Sequence, residues 1–228
     1  MHMKWMIALV PPLLLLGCSF GSESPVPDGV YLLEPMVCAE ELELGKGAEG
    51  LPDRELRIAT TEVPSYIQTG KFVFGTANRE RRFYQFARWA VSPGAMLNRA
   101  IEDRLRCSRL FRAVHRRGVL AKASHSLDIT VLDFFHDART EPGFAVIDLD
   151  IALIESETEQ LLGQSRFQAR APLATFDAPG AAAAFEAARN QIVEEIAAWV
   201  QAQLDRSATL AAEESPPAAD LPTDGAKL

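Results

Sequence analysis

Residues 144–156, FAVIDLDIALIES, alternate between apolar and polar side chains around Asp148 and Asp150. In an extended strand a period of two sends Ile147, Leu149, Ile151 and Leu153 to one face and Asp148 and Asp150 to the other. The preceding SHSLDITVLDFFHD repeats the pattern, with Leu127, Ile129 and Val131 on one face and Asp128, Thr130 and Leu132 on the other. LLGQSRFQARAPL reads as a third strand, and the short polar connections suit an antiparallel meander. A sheet with one apolar face has to be covered.

Two helices are placed to do so. Pro93 opens the first, where a fixed φ and a missing N–H suit the first turn. Leu97, Ile101 and Leu105 form its apolar stripe with Met96 and Ala100 beside them, while Arg99, Glu102, Asp103 and Arg106 fall on the wet side. The second helix covers 180–204, with Phe185, Ala188, Ile192, Ile196 and Trp199 along one stripe. Upstream, GVYLLEP, ELRIATTEV, KFVFG and RRFYQFARW read as further strands, the second ended by Pro64. Residues 39–53 are polar and glycine-rich, as in an exposed loop. The predicted fold is α+β: a largely antiparallel sheet packed against two main helices, with an N-terminal lipoprotein signal and a disordered C-terminal tail.

The signal rests on Lys4, the apolar run Trp5–Leu16 and Cys18. The run falls well short of the roughly 20 residues that span a bilayer, and Pro11 and Pro12 interrupt it. Leu15-Leu16-Gly17-Cys18 resembles a bacterial lipobox, whose cysteine becomes the acylated first residue after cleavage. Residues 1–17 are thus a signal peptide, 18–29 a lipidated cysteine and linker, 30–206 the domain and 207–228 the tail. The linker reaches at most about 40 Å from the lipid. Ser19, where an aspartate would favour inner-membrane retention, points to the outer membrane and a periplasm-facing domain.

With Cys18 assigned to lipid, Cys38 and Cys107 remain, and an oxidising periplasm permits a bridge between them. Two buried thiols are the alternative. The net charge of −8 argues against nucleic acid as a partner and against broad adhesion to anionic lipid, which leaves anchoring to the acyl chains.

No constellation supports catalysis: GxSxG, Walker, HExxH and CxxC motifs are all absent. His136-Asp137 reads as a solvated strand end. Asp148 and Asp150 share a strand face, but carboxylates belong on the outer side of an amphipathic strand, so neither metal nor cofactor is expected. The basic run Arg104, Arg106, Arg109, Arg112, Arg116 and Arg117 suits either an anionic partner or a helix face offsetting the acidic bulk.

Taken in order, several segments resemble the ABC-type transport auxiliary lipoproteins, a PqiC-like family. The lipobox is followed by Tyr31-Leu32-Leu33, then by Val63-Pro64-Ser65-Tyr66-Ile67 in place of the family's Pro-x-Tyr-Leu motif. Phe72-Val73-Phe74 and Arg88-Trp89-Ala90 come next, and the likeness covers about residues 14–205. The chain departs from the pattern at Gln68-Thr69-Gly70 and at Val91-Ser92-Pro93-Gly94. The resemblance implies a non-enzymatic docking component of a phospholipid transport system that maintains membrane integrity. Its partner would be a periplasmic protein with an MCE (mammalian cell entry) domain. Pro64, Tyr66 and Trp89 then either shape the docking surface or fill a core edge. A carrier that itself holds a phospholipid is the alternative, and self-association into a homo-oligomer is open.

Overall fold

The computed structural model describes residues 29–36, 50–58, 62–115 and 122–214. In chain order they form β1 (Gly29–Tyr31), β2 (Glu55–Ile58), α1 (Ser65–Gln68), β3 (Lys71–Gly75), β4 (Arg82–Trp89) and α2 (Pro93–Cys107). There follow β5 (Ala113–His115), β6 (His125–Asp137), β7 (Phe144–Glu155), β8 (Gln160–Pro172) and α3 (Ala178–Glu214).

The alternating segments build the centre as expected. β6, β7 and β8 form an antiparallel meander, with β7 paired along its length to both neighbours. Ile147, Leu149, Ile151 and Leu153 are all fully buried. A register shift between Val131 and Asp133 moves the inward face of β6 from Leu127, Ile129 and Val131 to Phe134. An extra residue at a bulge does this by resetting the alternation.

The other edge of β6 is shared. Its N-terminal end pairs in parallel with β2, which carries β5, and its C-terminal end pairs in parallel with β3. β4 joins β3 antiparallel, and β1 joins β4 in parallel. The sheet is therefore mixed: its antiparallel meander was anticipated, while the parallel pairings of the short strands join segments far apart in sequence.

α2 and α3 cover the apolar face. Leu97, Ile101 and Leu105 of α2 are buried, as are Phe185, Ala188, Ile192 and Ile196 of α3. α3 also runs beyond the predicted 204 to Glu214, so residues 207–214, expected in the tail, are helical. Glu102 and Asp103, expected on the wet side of α2, are only 6% and 7% exposed. Arg106 bridges both carboxylates, three and four residues on, and spares them an unpaired burial.

Candidate functional site

Of the three residues that suit either a docking surface or a core edge, Trp89 lies in the core at 3% exposure. It stacks on Phe72 and meets Phe134 and Phe185 edge-on. It thus supports the β4 end from beneath and offers no face for docking. Pro64 is the N-cap of α1, and its carbonyl oxygen accepts from the Ile67 N–H at 2.9 Å. Tyr66 is half-buried and donates its hydroxyl to Asp133 Oδ1 at 3.1 Å. Arg81 pairs with the same carboxylate and lays its guanidinium 3.6 Å above the Phe135 ring. Burial, with Asp133 adding to it, pushes the Tyr66 phenol up to about 12.

The two segments where the chain departs from the family pattern meet here. Gly70 has φ +70°, a conformation that glycine adopts without strain, and its carbonyl accepts the Trp89 N–H at 2.6 Å. At Gly94, a Cβ would lie 2.7 Å from Val63 Cγ2, so the absent side chain lets the Val63-Pro64 segment settle on the start of α2. Gln68 closes the turn by donating to the Val63 carbonyl at 2.7 Å. Residues 63–70 and 91–94 thus form one continuous patch.

Beside it runs a groove of about 150 Å³ between residues 32–36 and α2, lined by Leu32, Met36, Val91 and Met96 among others. Arg189 of α3 also lines it, 4% exposed and donating to the Glu34 carbonyl at 2.8 Å. Its Nε has no hydrogen-bond partner among the described residues, and burial lowers the guanidinium pKa.

His136 and Asp137, expected at a solvated strand end, are 0% and 3% exposed. The loop after β6 folds back so that His136 Nε2 donates to the Pro142 carbonyl at 2.8 Å, leaving Nδ1 to accept from the Tyr84 hydroxyl at 2.7 Å. Asp137 is bound by Arg139 and Arg170, and the Arg139 bonds hold its carboxyl below the usual range. This is a packed polar network in which both side chains are buried and bonded. Asp148 does leave the apolar face, but Arg166 caps it in a two-pronged pair. Among the described residues no group of three or more His, Cys, Asp or Glu side chains is placed to hold a metal.

Much of the basic run is also structural: Arg104 pairs with Glu194, Arg106 with Glu102 and Asp103, and Arg112 with Glu55 and Asp53. Arg116 and Arg117 lie outside the described residues, as do Cys18 and Cys38. Cys107, at the end of α2, is disulfide-bonded.

The architecture is that of an α+β domain with a mixed open sheet, and it recurs among solved structures. Protein XCC0632 from Xanthomonas campestris matches with a TM-score of 0.65 at 21% identity, over 79% of this chain and 98% of its own. A second structure, of an uncharacterized protein, matches with a TM-score of 0.60 at 17% identity, over 77% of this chain and 99% of its own. Comparison with the curated proteins finds no match. The family model of the ABC-type transport auxiliary lipoprotein component matches residues 42–197. The chain belongs to that family, which is not one of enzymes.

Proposed function

We propose that this chain is a non-enzymatic docking lipoprotein, held by acylated Cys18 on the periplasmic side of the outer membrane. In this reading it receives the far end of an MCE-domain protein in an ABC-type phospholipid transport system that maintains membrane integrity. The observation that carries it is the family match over residues 42–197. The patch formed by residues 63–70 and 91–94 supports it, because the turns that distinguish this chain from the family pattern adjoin and expose Gln68, Thr69 and Val91, with Pro93 and Gly94 buried beneath. Among the described residues no helix is long and apolar enough to cross a membrane.

The carrier alternative would need a larger apolar space than the groove described above. The groove beside α2, at about 150 Å³, is of the size that admits a benzene molecule and would not by itself enclose a phospholipid. The test is purification at native expression together with an MCE-domain protein encoded nearby. Co-purification from detergent extracts is expected, and Cys18→Ala should release a folded domain from the membrane. A wild-type protein that purifies alone overturns the docking reading.

A further inference from the structure

Five of the eight large apolar side chains exposed in the described structure lie along one corner of the sheet: Val30, Leu32, Phe83, Phe86 and Val91. The others, Leu161, Phe176 and Leu210, belong to β8, the loop before α3 and the end of α3. Val30 pairs with Arg88, and Arg88 with Lys71, so one row crosses β1, β4 and β3. Lys71 holds its ammonium 5.0 Å from the centre of the Phe83 ring. Neither Lys71 nor Arg88 has a salt bridge among the described residues.

Charge at this corner runs against that of the whole chain. Of the cations in residues 71–91, Arg81 is paired with Asp133 and Arg82 with Glu80, while Lys71, Arg79 and Arg88 have no salt bridge among the described residues, in a chain of net charge −8. Scattered apolar side chains on a surface call for no explanation, but a contiguous set rimmed by cations does. The chain itself indicates what covers it. Gly29, the first described residue, pairs with Ala87, whose chain neighbours Phe86 and Arg88 are both exposed. Only residues 19–28 separate it from Cys18, a tether that spans at most about 40 Å.

We propose that the β1–β4 corner is the membrane-facing surface of the domain. Val30, Phe83 and Phe86 enter the interfacial layer, while Lys71 and Arg88 meet the phosphates of anionic phospholipids. Aromatic and aliphatic groups flanked by cations are the combination that lies in a bilayer interface, and acyl anchoring is stabilised by such a second contact. The corner would orient the domain, turning its other surfaces toward the periplasm.

The proposal rests on the Cys18 anchor, and the test separates the two. Full-length lipidated protein is reconstituted in phosphatidylethanolamine–phosphatidylglycerol vesicles that carry brominated acyl chains. Intact mass first establishes the acyl group on Cys18; its absence removes the anchor reading and this proposal with it. In acylated protein, Phe86→Trp is expected to be quenched several-fold more than Leu161→Trp on β8, each corrected for the parent protein. Lys71→Glu combined with Arg88→Glu should abolish the difference while leaving the thermal melt unchanged. Equal quenching at residues 86 and 161 in acylated protein overturns the proposal and leaves the anchor intact. Crosslinking of position 86 to an MCE-domain protein without lipid quenching assigns the corner to a protein interface and also overturns it.

Discussion

The Trp89 indole lies on the Phe72 ring with centroids 3.9 Å apart and planes 14° from parallel. Phe185 of α3 stacks in turn on Phe134, at 4.2 Å and 6°. These two stacks meet edge to face and fasten the β3–β4 arm of the sheet to its centre. Trp89→Ala should therefore cost about 3–5 kcal/mol in urea unfolding, the range for truncating a large buried aromatic. Trp89→Phe should cost much less, since Nε1 has no acceptor among the described residues. A cost for Phe equal to that for Ala would show that the indole N–H matters after all.

Acid should destabilise the domain through its buried imidazoles. Burial holds both His125 and His136 below the usual imidazole range. His136 uses both ring nitrogens in the neutral form, so a second proton has to break the bond from Tyr84. The unfolded chain binds that proton from about pH 6.5 downward, before the folded one does. Stability is then fully present above about pH 6.5 and declines as pH falls toward the lowered folded values. Thermal melts should be flat at neutral to mildly alkaline pH and fall on acidification, with a shallower slope in His136→Gln. A Tm that rises with acid would contradict the neutral assignment.

Tyr66 and Tyr84 should ionise late. Tyr66 and Tyr84 are each pushed up to about 12, by burial first, with Asp133 and Asp177 adding to it respectively. Tyr66→Phe should remove one late step from an ultraviolet titration and cost about 0.5–1.5 kcal/mol, the net value of a typical hydrogen bond. Loss of MCE-protein binding in this variant, with stability so little changed, would identify Tyr66 as a contact residue.

Cys107 should prove to be bonded to Cys38. Glu34 and Asp103 both act on Arg189, so residues 32–36 run beside α2 one turn before Cys107. Cys38 follows two residues after Met36. Peptide mapping without reductant should recover the two cysteines together, and two free thiols in denatured, unreduced protein would exclude the bridge. Closing a loop of about 70 residues contributes about 4 kcal/mol in the chain-entropy estimate, which Cys107→Ser should forfeit.

The central meander was legible because each strand carries its burial in its own alternation: Ile147 to Leu153 needed no knowledge of their neighbours. The stripes of α2 and α3 were legible for the same reason. His136-Asp137 was not, because its burial comes from Tyr84 and the returning loop at Pro142, and from Arg139 and Arg170 across the sheet edge. Glu102 and Asp103 misled in a related way, since their cover is an arginine on their own helix and the packing of α3. Trp89 carried an ambiguity that sequence could not remove, because an aromatic at a strand end suits a core and an interface equally. The membrane-facing corner left no local motif either. It appears only when β1, β3 and β4 bring Val30, Lys71 and Arg88 into one row.

The length of α3 has a mechanical consequence. Its 37 residues extend about 55 Å, and Leu204 is the last to be buried. Gln203, beside it, rests against the bare backbone of Gly163. The turns after Leu204 are largely exposed, and so short a helix does not persist in water alone. They continue a helix that the sheet already holds, with no new nucleus to form. The result is a stiff spar of about 15 Å standing off the domain, whose direction is set entirely by residues that it does not contain.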